Sequence, residues 1–248
     1  MQTLPDPSSR GGGPLRYGSR APPSPAPSSL VRWWLGAGVA VVAVALSPPV
    51  DARADATLAA HMAQHVVLTM VGAPLLAAGL PRIPGIHPVV AWLLFAATGW
   101  LVHFTPLYET ATESLPVHVF EHALLLGTAL LFWAQVVGPP PRSQGRSGPG
   151  PRLSHPMRLL YLIVAMPQNT FLALAISSSG RVLYDHYAGG RDPLGDQRLA
   201  GGIMWVAGDL VLLVAVLLVA AAWARHEERE TRLREEAADR LPSPRTAG

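Results

Sequence analysis

The sequence predicts an all-α protein, a polytopic transmembrane helix bundle of about six spans with both termini in the cytoplasm. Three observations carry this expectation. Half of the 248 residues are apolar and only 14% are charged, against roughly a quarter charged in soluble domains. The apolar residues gather in six runs, each near the roughly 20 helical residues that cross a bilayer core. All 19 basic residues are arginine, and they collect on alternate sides of those runs, as they do in membrane proteins.

Residues 1–30 are rich in Pro, Ser, Gly and Arg with almost nothing apolar to bury, which predicts a disordered tail. The bundle follows over 31–224, with spans at about 31–49, 58–80, 88–106, 115–137, 157–179 and 201–224. Formal charges inside them are rare: Arg32 and Arg158 at span ends, then Glu121 and Asp209. Residues 225–248 form a charged cytoplasmic tail, with 225–240 read as a mixed-charge helix leaving the membrane.

Orientation follows from the arginines. The N-terminal segment, the 81–87 loop, the 138–158 segment and the C-terminal tail hold fifteen, and the other three loops hold four. That asymmetry places both termini inside. An alternative for the first span is a cleaved signal sequence ending near Ala52-Arg53-Ala54, which would leave five spans in the same orientation.

Composition also excludes chemistry. There is no cysteine, so disulfides, thiolate metal cages, iron–sulfur clusters and cysteine nucleophiles are absent. The net charge of +3 sits in short segments between apolar runs, which points to a bilayer and not to nucleic acid.

Five of the nine histidines lie inside predicted spans: His61, His65, His103, His118 and His122. With the topology above, all five fall within roughly 10 Å of the outer boundary at 1.5 Å per helical residue. His61/His65 and His118/His122 are both i, i+4 pairs, so each pair projects from one helix face. Polar side chains at such depth cost free energy and by default mark a site. We therefore expect an outward-opening imidazole pocket among spans two, three and four. The bland alternative is a structural polar cluster.

Neutral imidazoles suit zinc, copper, nickel and iron, and copper leads the Irving–Williams order. Met62, beside His61, and Met70 offer thioethers that suit Cu(I), although a methionine in an apolar helix is ordinarily filler. Copper is the expected ion, and zinc and haem remain compatible with the residues. Gln64 and Glu121 each precede the second histidine of a pair and are candidate outer-shell partners, orienting an imidazole through its other nitrogen. His118-x-x-Glu121-His122 also fits the H-x-x-E-H pattern of a zinc peptidase; its near-copy carries Gln64, which cannot act as a base. Asp209, about two turns into the last span, is either part of the polar cavity or a helix-packing hydrogen-bond partner. Asp185, His186 and Asp196 in the last outer loop are read as solvated, with metal loading or docking as the sharper alternative.

Three ordered runs then resemble the CtaG-type bacterial cytochrome c oxidase assembly factors over about 57–210. The first is His61-Met62-Ala63-Gln64-His65 with Pro74-Leu75-Leu76 and Gly79-Leu80-Pro81. The second is Leu107-Tyr108-Glu109 through Pro116-Val117-His118 to Glu121-His122 and Phe132-Trp133. The third is Asp196-Gln197-Arg198-Leu199-Ala200-Gly201 with Ile203-Met204-Trp205-Val206. The resemblance implies a multi-pass protein of the bacterial inner membrane that supports haem–copper oxidase assembly by handling copper on the extracytoplasmic side. Cytochrome c oxidase subunits and a copper donor protein are the partners it implies, and His61, His65, His118 and His122 match the family's motif histidines. Two departures stand out: seven spans are expected of the family where six are counted, and Ala207 and Asp209 stand where a proline and no acid are expected.

The expected function is copper binding and delivery in oxidase assembly, without enzymatic activity. Two rivals are a b-type haem electron-transfer protein and, less favoured, an intramembrane zinc peptidase.

Overall fold

The computed structural model describes residues 29–80, 86–137 and 153–239. Most of the expected N-terminal tail, Arg82 and the arginine-rich 138–152 segment lie outside the described residues. Every regular element among those described is helical. They are α1 (Ser29–Ala45), α2 (Pro48–Ala56), α3 (Leu58–Gly79), α4 (Pro88–Phe104), α5 (Leu107–Glu113), α6 (Leu115–Val137), α7 (His155–Ser177) and α8 (Pro193–Asp239), with a single 3-10 turn at Asp185–Tyr187 between α7 and α8.

Four of these, α3, α6, α7 and α8, are long and apolar enough to cross a membrane, and up to six spans result if two bent pairs each count as one. The all-α polytopic bundle expected from the apolar runs is what the chain forms. The bends are where the first and third predicted spans end. Pro48 and Pro49 follow Ser47, and α1 turns by 50° into α2. Pro106, with φ fixed by its ring, separates α4 from α5 at 66°. The short helices α2 and α5 thus lie across the histidine end of the bundle.

α3 is the central element, and its sequence dictates its shape. Over Val67–Gly72 it widens into a π-helical turn, and Pro74 supplies the cause. The Ala73 N–H reaches back to the Leu68 carbonyl, one residue further than in an α-helix. In that register the next donor would be residue 74, and proline has no N–H. The Thr69 carbonyl is left without a backbone donor, and the buried Trp133 indole of α6 donates to it at 2.9 Å. Trp133→Phe orphans this carbonyl in an apolar core and is expected to cost about 1–3 kcal/mol, read as a lowered unfolding midpoint in detergent micelles.

Small residues set helix spacing, as is usual where lipid removes the hydrophobic drive for helix association. A Cβ on Gly79 of α3 would collide with the backbone of Leu35 in α1, and one on Gly38 would meet the Leu76 nitrogen at 2.8 Å. The core has two parts. Around Met62, Val102, Tyr108 and Ile176 it supports the histidine end; around Phe132, Trp133, Leu162 and Leu212 it fills the opposite half. Large apolar side chains such as Leu93, Ile163, Phe171, Leu210 and Leu217 point outward, the pattern of helices whose outer faces meet lipid.

The last helix departs from the expected span in length. It starts at Pro193 and continues through Asp239 without a break, so the mixed-charge segment after Arg225 extends it. Ala207, in place of the expected proline, lets it run straight through. Asp209 accepts hydrogen bonds from Asn169 Nδ2 at 3.0 Å and Thr170 Oγ1 at 2.6 Å on α7, which is helix packing and not part of the histidine pocket.

Candidate metal centre

The i, i+4 spacing of His61 and His65 on α3 places both rings on one face, with centroids 4.3 Å apart. α6 faces them. His122 lies 5.2 Å from His65 and 6.2 Å from His61, ring to ring. His61, His65 and His122 are all buried, and each offers one ring nitrogen within 4.8 Å of the other two. Imidazole–metal bonds near 2.0 Å put ligand nitrogens roughly 3.5 Å apart around one ion. The trio therefore fits a first-row cation with little movement.

The other two candidates stand beside it. His118 completes its pair with His122 at 4.3 Å between centroids, but its Nε2 meets Asp51 Oδ1 of α2 at 3.3 Å. His103 on α4 is 6.2 Å from His65, centroid to centroid; its Nδ1 donates to the Gly99 carbonyl at 2.7 Å and its Nε2 lies 3.3 Å from Met62 Sδ. All five imidazoles thus share one end of the bundle, three in mutual ligating range.

The loop after α7 locks over this end, held by polar groups from the runs singled out in the sequence. Asp196, at the start of α8, accepts from the first two backbone N–H groups of α3, Leu58 at 2.7 Å and Ala59 at 3.2 Å. These are donors that a helix start cannot satisfy itself. Gln197 accepts from Leu183 N and donates to the Ile176 and Arg181 carbonyls. Glu109 of α5 accepts from Asp185 N at 2.7 Å. Pinned in this way, the loop delivers Tyr187 to His61.

Tyr187 was not expected from sequence, since an aromatic residue in a Gly- and Asp-rich loop carries no periodic signal. Its hydroxyl donates to the Ala54 carbonyl at 2.8 Å and lies 3.2 Å from His61 Nδ1. Burial pushes that hydroxyl up to about 12, so it remains a neutral phenol. With its one proton committed to Ala54, it accepts from His61 Nδ1–H. That fixes the tautomer and leaves the His61 Nε2 lone pair facing the trio, the usual outer-shell arrangement of a ligating histidine. A metal held through His61 should therefore bind about 10–100-fold more weakly in Tyr187→Phe, with little loss of folded yield, measured by chelator competition.

The expected outer-shell residues have other surroundings. Gln64 donates to the Ala45 carbonyl at 2.9 Å and reaches Asp51 at 3.4 Å, tying α3 to α1 and α2. Glu121 is fully buried, and neither carboxyl oxygen has a hydrogen-bond partner among the described residues. His186 reaches Asp55 Oδ1 at 3.1 Å. Asp51, Asp55, Glu113, His118 and Tyr187 line an open cavity of about 350 Å³ that also reaches His61.

The model of the family described as cytochrome c oxidase caa3 assembly factor (Caa3_CtaG) matches residues 13–84 and 85–226. The chain belongs to the Caa3_CtaG family. All five clustered histidines, and the Glu109, Asp196 and Gln197 that pin the loop, fall within the matched residues. The family member is also similar to mycobacterial proteins of larger size. It is 28% identical over 234 residues to an uncharacterized protein of Mycobacterium bovis, Mb0105, and equally to MT0111 of Mycobacterium tuberculosis. Against ML1998 of Mycobacterium leprae it is 28% identical over 236 residues. The match covers 79% of this chain and 34% of each relative, so the chain spans about a third of their length. No solved structure matches it.

Proposed function

We propose that this Caa3_CtaG member serves cytochrome c oxidase assembly by binding copper at His61, His65 and His122 and passing it on. The observation that carries the reading is three buried imidazoles, from two separate helices, with ligating nitrogens all within 4.8 Å. Burying that much polar surface in a membrane bundle is costly without a use for it. A donor set of nitrogen with nearby thioether, and no thiolate, suits copper and leaves the ion exchangeable.

The open cavity leading to His61 is the route by which the ion arrives and leaves. Its acidic lining, Asp51, Asp55 and Glu113, attracts cations, and the Asp51–His118 pair stands between that mouth and His122. The arginine distribution supports an extracytoplasmic placement of this end in a bacterial inner membrane, the side from which oxidase subunits and a copper donor protein would be reached.

The rival readings have less support. A haem needs a flat slot between facing imidazoles, whereas these rings pack against one another with centroids 4.3–6.2 Å apart. A peptidase needs Glu121 beside metal-bound water, whereas Glu121 is fully buried and His118 turns towards Asp51.

The test is complementation in a host lacking its own copy of this gene. The intact chain should restore caa3 oxidase activity, and the His61/His65/His122→Ala variant, present in the membrane at equal amount, should not. Full restoration by the variant would contradict the reading.

A further inference from the structure

Hydrogen bonds at the histidine end place the ring protons of His61, His65 and His103. Tyr187 donates to the Ala54 carbonyl, so His61 carries its proton on Nδ1 and presents a bare Nε2. That Nε2 lies 3.0 Å from His65 Nε2, and two facing lone pairs would repel. His65 therefore carries its proton on Nε2 and donates it to His61. Its Nδ1 is then a bare lone pair, buried and without a hydrogen-bond partner among the described residues. On α4 the Gly99 carbonyl can only accept, so the 2.7 Å contact places the His103 proton on Nδ1. His103 Nε2 then faces Met62 Sδ at 3.3 Å with no proton between them.

Two donor atoms in contact without a proton, one nitrogen and one thioether sulfur, are complementary to a soft cation. With bonds of about 2.0 Å to imidazole nitrogen and about 2.3 Å to sulfur, a 3.3 Å separation subtends about 100° at the ion, an ordinary ligand–metal–ligand angle. Met62 and His65 are i, i+3 neighbours on the same side of α3. The open nitrogen of His65 belongs to a ring that lines, with His103, a small, partly open space of about 50 Å³. Met62 is fully buried and His103 nearly so, so the position is screened from water.

We infer that His103 Nε2 and Met62 Sδ, with His65 Nδ1 as third ligand, form a second, softer position that takes Cu(I). The inference rests on the proposed copper role of the trio and deepens it. A neutral His65 has one lone pair. With the proton on Nε2 it serves the Met62/His103 position, and with the proton on Nδ1 it serves His61 and His122. One ion therefore occupies one position at a time, and the tautomer of His65 selects which. The nitrogen-only position lies on the cavity side, through His61. The sulfur-bearing one is lined by side chains that do not border that cavity, and Met62 and His103 hold the reduced ion among buried groups.

The test is copper K-edge absorption on the full chain in detergent, loaded from a Cu(I)–bicinchoninate buffer under reductant. The expected spectrum has a sulfur shell beside the nitrogen shell, with one copper per chain. Met62→Leu, which conserves volume, should remove the sulfur shell and weaken Cu(I) retention by no less than the roughly tenfold that loss of even an outer-shell partner costs. His122→Ala should keep the sulfur shell. Copper bound with nitrogen ligands alone in the intact chain overturns this inference and leaves the trio reading standing. A sulfur shell that survives Met62→Leu overturns it too, by assigning the sulfur to another methionine. No copper in the intact chain overturns both readings.

Discussion

Replacing His61, His65 and His122 together by alanine is expected to take bound copper from about one ion per chain to none. The measurement is metal analysis of the purified chain after dialysis against a weak chelator. The size of the effect follows from geometry. Each position the ion can take uses at least one of these rings, and the remaining imidazoles are poorly placed to substitute. His118 is turned to Asp51. His103 keeps Met62 but loses the third ligand that His65 supplies. His155 and His226 sit 5.4 Å apart, centroid to centroid, on α7 and the extension of α8, away from the cluster. Folding is not the expected casualty, because removing all three partners together leaves no unpaired imidazole among them. A cavity remains, so thermal stability should fall by a few kcal/mol at most. Retention of one copper per chain by a folded variant would place the site elsewhere.

A second large effect is expected in the packing of α7 on α8, and a neighbouring residue provides its control. A Cβ at Gly201 would meet the Ala173 carbonyl at 2.7 Å, Ser177 Cβ at 2.7 Å and the Ser177 nitrogen at 3.0 Å. Two of these are backbone atoms, so no side-chain rotation relieves the overlap and the helices must part. Gly202, one residue on, has nothing within 4 Å of the same atom. Gly201→Ala should therefore destabilise by at least the roughly 1–3 kcal/mol typical of overpacking. Gly202→Ala should be neutral or stabilise by about 0.5–1 kcal/mol through helix propensity. Unfolding midpoints of the two variants in the same micelles decide the matter, and equal midpoints would contradict the packing described here. The separation reaches the histidine cluster, because Gln197 and Asp196 at the start of α8 hold the loop that carries Tyr187.

Much of this was legible in the residues, and what was not has identifiable physical causes. Apolar runs near bilayer length located every long helix, because in a membrane bundle the lipid-facing and buried sides are both apolar and the signal is continuous. The histidine cluster was legible because i, i+4 spacing fixes a shared helix face whatever the tertiary structure. Which histidines converge was not, since that depends on how each helix is rotated about its axis. The second pair is the example: one turn apart on α6, His122 faces His65 while His118 faces the open cavity and Asp51. The bends after α1 and α4 carried proline signals at Pro48 and Pro106, but the apolar runs continue towards both and hide the break. The role of Tyr187 depends on contacts more than a hundred positions distant along the chain, at His61 and Ala54, and no local pattern announces such contacts. Glu109 and Gln197 stood out only through family resemblance, and Asp196 also as an acid of the last outer loop. Their hydrogen bonds supply a physical reason for each, as they hold the loop over the histidine cluster.

The central claim is that imidazoles from separate helices hold one copper ion at the end of the bundle capped by α2, α5 and the Tyr187 loop. Anomalous diffraction at the copper edge, on crystals of the copper-loaded chain, tests it most directly. The account predicts one strong peak within bonding distance of His65, flanked by rings or sulfur contributed by α3 together with α6 or α4. A peak at the His155/His226 pair, or copper bound only at the exposed acidic side chains of the cavity mouth, would contradict it.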